Sequence, residues 1–163
     1  MWEVGWVQTD EDRARSLWVL GHRVTLIPVG GRVAAIEVVT PAGVPGPPLH
    51  SHEDVDECFY VLDGQLGVRA GEEWTSLAPG EYLNVPRGTV HTFRNEGQTD
   101  VRVITGFEPG GFEDFFLEYG VDVGEPAAFE RSVSEETIAR VLEGCAQFGM
   151  ILAAHPVATG HST

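Results

Sequence analysis

Between Ser16 and Phe107 the chain is cut into short β-prone runs by glycine and proline, and this punctuation limits the fold more than any other feature. β-branched and aromatic residues mark candidate strands over Arg23–Val29, Arg32–Thr40, Glu57–Leu62, Gln65–Ala70, Tyr82–Val85 and Val101–Phe107. Turn signals part them: Gly30-Gly31, the run AGVPGPP at 42–48, Asp63-Gly64, Ala70-Gly71, Pro79-Gly80 and Asn95-Glu96-Gly97. Short strands at regular spacing point to a closed or sandwiched antiparallel all-β fold rather than to βαβ units. The 163 residues hold no internal repeat and no linker long enough to divide them, so 1–163 reads as one domain.

The periodicity changes after Pro109. Phe112, Phe115, Phe116 and Tyr119 recur at helical spacing, and Gly120 is placed to end the turn. A second helix is expected over Glu135–Phe148, capped by Ser134, with Glu135 and Glu136 at the positive end of its dipole and Gly149 behind it. Its apolar stripe is Ile138, Val141, Leu142, Cys145 and Phe148. Both stripes are expected to pack on the outside of the β core, which leaves a core over about 16–107 and a helical extension over about 110–150. The tail after Pro156 is expected to be disordered, which leaves His161 without a role.

Charge excludes several classes of function. The chain carries 25 acidic and 10 basic residues, a formal charge of −15, and every basic residue is an arginine. Without lysine there is no Schiff-base chemistry, no attachment point for pyridoxal phosphate and no Walker-type phosphate lysine. The negative balance disfavours nucleic acid and anionic membranes as partners. No run approaches the ~20 apolar residues of a membrane helix, and the N-terminal twenty lack a signal-peptide pattern. Cys58 and Cys145 can form at most one bridge, so the expected setting is the reducing cytoplasm.

The residues that carry chemistry lie in two segments, HSHEDVDECFYVLDG and GEYLNVPRGTVHTFRN. In an extended strand His50 and His52 point the same way, so two imidazoles stand side by side. Beyond a short acidic turn, Glu57 opens a strand on which Glu57, Phe59 and Val61 share a face. If that face is inward, a carboxylate joins the imidazoles, and His91 after a Pro-Arg-Gly turn can add a third. Three neutral imidazoles and one carboxylate suit one divalent transition metal (Fe, Mn, Ni, Co, Cu or Zn), with coordination positions left for water, dioxygen or substrate. Phe59, Val61 and Phe93 share the ligands' face and either wall a substrate pocket or fill the core. Cys58 and Tyr60 have the opposite parity and should face outward. His22 and His155 have no such company and default to surface or structural roles.

These two segments resemble the paired motifs of the cupin superfamily. The first reads His50-x-His52, four residues, Glu57, six residues, Gly64. The second reads Gly80, five residues, Pro86-x-Gly88, two residues, His91, three residues, Asn95. One position departs: Val44 stands where the family has glycine, with Gly43 and Gly46 nearby. More narrowly, SLWVLGHRVTLI at 16–27, GPPLHSH at 46–52, DECFYVLDG at 56–64 and GFEDFFLEYG at 111–120 are similar to bacterial single-domain cupins of the quercetin 2,3-dioxygenase-like kind. The resemblance implies a double-stranded β-helix, or jelly roll, with His50, His52, Glu57 and His91 holding a redox-active metal inside. It also implies Glu57 as the catalytic group that takes the proton of an acidic substrate hydroxyl.

The resemblance makes a metal-dependent dioxygenase the first functional expectation, acting with dioxygen on a flavonol-like or other aromatic enol. A non-oxidative cupin (polyketide cyclase, isomerase or epimerase) and a small-molecule binding module without turnover are the alternatives. A homodimer is expected, because cupins of this kind commonly pair and because Trp2, Trp6 and Trp18 near one end need either a partner surface or the chain's own core to cover them.

Overall fold

The alternation of apolar and polar residues builds strands first. In the computed structural model, which describes residues 15–27, 29 and 32–153, ten of them precede any helix. They are β1 (Ser16–Val19), β2 (His22–Ile27), β3 (Ala34–Thr40), β4 (His50–His52), β5 (Asp56–Asp63), β6 (Leu66–Ala70), β7 (Glu73–Leu77), β8 (Tyr82–Val85), β9 (His91–Asn95) and β10 (Val101–Glu108). There follow α1 (Glu113–Tyr119), β11 (Val121–Asp122), α2 (Ala128–Ser132), α3 (Glu135–Gly144), a 3-10 turn over Cys145–Phe148 and β12 (Met150–Leu152). Trp2, Trp6, Gly30-Gly31, His155, His161 and the tail after Pro156 lie outside the described residues.

The strands form two antiparallel sheets, ordered β11-β1-β2-β3-β10-β5-β8 and β12-β4-β9-β6-β7. Inner-face residues from both, among them Leu17, Ile36, Val61, Val68 and Val103, make one core. This is the jelly-roll architecture expected, with the helices outside it.

Strand β7 escaped the sequence reading because it is a sheet edge: only Leu77 of its five residues is buried, so it shows little alternation. β12 is a three-residue strand whose partner, β4, lies about a hundred residues earlier, a pairing no local pattern encodes. The pairing sets Met150 opposite His52 and Leu152 opposite His50.

Helix α3 starts where expected, with the Thr137 N–H donating to Ser134 Oγ at 3.2 Å. It ends earlier than expected, at Gly144, and a 3-10 turn closed by left-handed Gly149 (φ 72°) carries the chain on. Glycine is needed at 144 because a Cβ there would sit 2.0 Å from the Tyr119 hydroxyl. Of the expected stripe, Val141 and Cys145 are buried while Ile138 and Leu142 are exposed, so the buried face is narrower than the pattern implied. Trp18 is covered within the chain by Phe129, edge to face at 5.1 Å.

The proline-rich segment before β4 fixes where that strand begins. A Cβ on Gly46 would lie 1.6 Å from the Phe93 carbonyl oxygen, so only glycine lets this segment cross β9 at contact distance. Thr92 Oγ1 donates to the Pro47 carbonyl at 2.6 Å and holds the crossing closed. Gly43, by contrast, has nothing within 4 Å of its missing Cβ and serves a turn with φ +79°. The glycine absent at position 44 is thus replaced by one that turns the chain and one that permits close approach. Gly46→Ala should therefore destabilise the fold by about 3 kcal/mol or more, and Gly43→Ala by about 1 kcal/mol. Paired urea titrations check the order.

Candidate metal centre

His50 and His52 lie on the inward face of β4, His91 opens the neighbouring strand β9, and Glu57 comes from β5 in the opposite sheet. Position 50 pairs directly with position 91, so two imidazoles meet across one strand pair and the carboxylate reaches them across the gap between sheets. All four side chains are buried, and one donor atom from each lies within 4.8 Å of every other.

Backbone carbonyls orient two of the imidazoles. His50 Nδ1 donates to Pro48 O and His91 Nδ1 to Thr89 O, both at 2.9 Å, which turns each Nε2 inward. His91 Nε2 then lies 2.8 Å and His52 Nε2 3.2 Å from Glu57 Oε2. With its Nδ1 proton committed to Thr89, His91 presents a lone pair to the carboxylate unless a second proton or a cation sits between them. The donor set therefore fits a divalent metal ion, which would take the inward lone pairs of all three imidazoles and one carboxylate oxygen. The remaining nitrogen, His52 Nδ1, is buried without a hydrogen-bond partner among the described residues, its ring packed on Phe112 at 4.4 Å.

Charge in this centre is coupled. Burial, with the neighbouring His91 second, pushes His50 down to about 4. Burial alone would raise the Glu57 carboxyl, but hydrogen bonds from His52 and His91 outweigh it and bring the group to about 2. The same contact raises His91 against the opposing effect of its burial.

An arginine that sequence reasoning passed over holds the turn before His91. The backbone N–H of Arg87 and its guanidinium donate to the Asp56 carboxylate at 2.8–3.0 Å, and these bonds take Asp56 down to about 2. The adjacent Gly88 N–H donates to the His52 carbonyl at 2.7 Å. One residue on either side of the site thus ties the two motifs together. The signal in the sequence was the acidic residue directly before Glu57, opposite the arginine of the Pro-Arg-Gly turn.

The centre opens into an apolar cavity of about 580 Å³, counting its open mouth. Its walls include Phe93, Phe107, Phe112, Phe115, Phe116 and Met150. Of the three wall residues expected, Phe93 lines the cavity, whereas Phe59 and Val61 do not. They share the face of Glu57, but each step of two along β5 moves a side chain about 7 Å further from the site, and both are sealed in the core. Cys58 and Tyr60 face the other way, Cys58 against Gly106 and Tyr60 toward solvent. Helix α1 packs outside the sheets as expected, yet its phenylalanines also close the cavity beside His52.

His22 is not a surface residue. It alternates with Val24 on the inner face of β2, is 6% exposed and lines the same cavity. Burial takes its pKa down to about 4. The folded protein thus holds His22 neutral at pH values where the unfolded chain, near 6.5, takes up a proton. Its contribution is complete above about pH 6.5, declines as the pH falls and levels off below about 4, a loss of at most about 3 kcal/mol. Urea unfolding at pH 7.5 and 4.5 should show a smaller drop for His22→Leu than for the wild type.

Comparison with known proteins agrees with this architecture. The Cupin domain family matches residues 36–107. A quercetin 2,3-dioxygenase of Bacillus subtilis is 37% identical over 71 residues, 44% of this chain and 21% of that protein. A quercetin 2,3-dioxygenase of Aspergillus japonicus is 36% identical over 78 residues, 45% of this chain and 22% of that one. The chain thus spans about a fifth of these relatives' length. Among solved structures, KdgF from Halomonas sp. superposes with a TM-score of 0.59 at 22% identity, over 68% of this chain and 99% of that one. An RmlC-like cupin from Shewanella frigidimarina gives 0.58 at 20%, over 68% and 96%. Two facing antiparallel sheets, a three-histidine, one-glutamate cluster between them and the family match identify residues 36–107 as a Cupin domain, one that resembles the quercetin dioxygenase-like cupins.

Proposed function

We propose that the protein is a metal-dependent dioxygenase of flavonol-like or other aromatic enols. The observation that carries the reading is a buried set of three histidines and one glutamate at a cavity walled by phenylalanines. Likeness to quercetin 2,3-dioxygenases over the motif-bearing segment supports it.

His50, His52, His91 and Glu57 would hold one divalent transition ion. Such an ion, when bound, lowers the pKa of an enol hydroxyl and supplies a redox-active centre for reaction with dioxygen. The chain's own contribution is positioning and proton transfer. Glu57 is the base: its Oε2, already shared between two imidazoles, accepts the hydroxyl proton of the substrate. The rings of Phe93, Phe107 and Phe112 offer flat faces to an aromatic ligand and exclude water from the reacting carbon. Elemental analysis should find one transition-metal ion per chain, and oxygen uptake should accompany quercetin consumption. Glu57→Gln should lower kcat by about 10²–10⁴, with metal content measured alongside to separate lost base from lost ligand. Turnover that persists anaerobically with zinc would instead assign the site to a non-oxidative cupin reaction.

We further place the protein as a cytoplasmic homodimer. Free Cys58 and Cys145 fit a reducing compartment. The outer face of β5 and β8 exposes Tyr60, Leu62 and Tyr82, apolar surface that a second copy would cover. No helix among the described residues is long and apolar enough to cross a membrane. Sedimentation should give the mass of two chains, and a single-chain mass removes the dimer.

A further inference from the structure

Three polar side chains around the cavity, His50, His52 and Glu57, belong to the candidate metal centre, and His22 does not. Its Nδ1 lies 3.0 Å from Thr40 Oγ1. Thr40 is fully buried at the end of β3, and its carbonyl accepts from Asn95 Nδ2 at 2.9 Å, which anchors the backbone that presents the hydroxyl to the imidazole. The other nitrogen, Nε2, is buried and has no hydrogen-bond partner among the described residues. The Pro45 carbonyl favours a proton on the ring, yet Nε2 makes no hydrogen bond to it in acceptable geometry. When the Thr40 hydroxyl donates to Nδ1, the ring proton sits on Nε2 and needs an acceptor. Among the described residues no atom accepts that proton in hydrogen-bond geometry, so the desolvation cost of the N–H is not fully relieved.

The position of the ring defines what could relieve it. His22 packs against Phe93 with ring centroids 5.4 Å apart. Phe93 stands two residues beyond His91 on the same face of β9, about 7 Å along the strand. The candidate metal centre and His22 therefore line one cavity on either side of an aromatic wall.

We infer that His22 is a specificity-determining residue: its Nε2–H donates to an oxygen at the end of the substrate remote from the metal centre. The substrate is then a planar aromatic enol bearing a second oxygen on its far ring. This rests on the aromatic-enol reading above and adds to it the orientation of the ligand and the residue that sets it.

Anaerobic titration of the metal-loaded full chain, followed by quenching of tryptophan fluorescence, tests the inference with two probes. Quercetin carries hydroxyls on its remote ring, and 3-hydroxyflavone has the same enol without them. The wild type should bind quercetin more tightly by about tenfold, the worth of one hydrogen bond. His22→Leu should erase most of that ratio, and His22→Gln, which keeps an N–H donor, should retain more of it. Thr40→Val, which leaves His22 in place but removes the hydroxyl that sets its tautomer, should lower the ratio without matching His22→Leu. A histidine that merely supported the fold would weaken both flavonols by the same factor, and an unchanged ratio in His22→Leu overturns the inference. Equal wild-type affinity for the two flavonols overturns it as well, while the aromatic-enol reading stands. Failure of the wild type to bind either probe overturns both.

Discussion

A buried carboxylate, reached from one sheet by imidazoles of the other, is the contact around which this fold is arranged. Glu57 is sealed from solvent, where an isolated charge would be strongly disfavoured. Its stability as an anion depends on His52 and His91, and their positions depend in turn on strands that meet it from across the core. The surrounding backbone answers that demand. β12 flanks β4 on one side and β9 flanks it on the other, so the His50–His52 strand is held on both edges. Carbonyls of Pro48 and Thr89 fix two of the rings. The Asp56–Arg87 bonds clamp the turn that delivers His91 beside the strand that delivers Glu57.

The same arrangement changes the meaning of the chain's −15 charge. Among the described residues no acidic side chain except Glu57 lines the cavity, and the wall is largely apolar and aromatic. In such a medium a bound cation would dominate the local field far more than surface carboxylates screened by water and salt. The absence of lysine therefore carries no penalty for a substrate that ionises to an enolate, because the metal would provide the positive charge. The global balance bears on polyanionic partners and says little about what enters the cavity.

How much of this was legible depends on the range over which each feature is encoded. The candidate ligands were readable because strand parity is strictly local: His50 and His52 two apart, Glu57 at the start of the next strand. Parity also placed Cys58 and Tyr60 outward. It does not say how far along its strand a residue lies from the site, so it leaves Phe59 and Val61 equally able to wall a pocket or fill the core, and β5 carries them into the sealed core. For a related reason parity leaves His22 between a surface and a structural role, and its burial against Thr40 decides for the structural one. Its alternation with Val24 was visible, but its inward face becomes evident only once β2 is seen packed beside β3 and opposite Phe93. β12 and the narrowing of the α3 stripe depend on contacts between distant segments, to which no local periodicity responds.

The division between motif and wall also limits what likeness can transfer. The four candidate ligands all fall within residues 36–107, the segment matched by the Cupin domain family. Much of the cavity wall does not: Leu20 and His22 precede that segment, and Phe112, Phe115, Phe116 and Met150 follow it. A protein sharing only the matched segment can place the same four ligands and still present a different cavity to its substrate. Reactivity toward an acidic hydroxyl would belong to the shared core, whereas the shape and polarity of the accepted molecule are set by flanking segments. Substitutions in α1 and at the start of β2 should therefore alter which ligand binds while leaving the metal set in place, and substitutions within the two motifs should do the reverse.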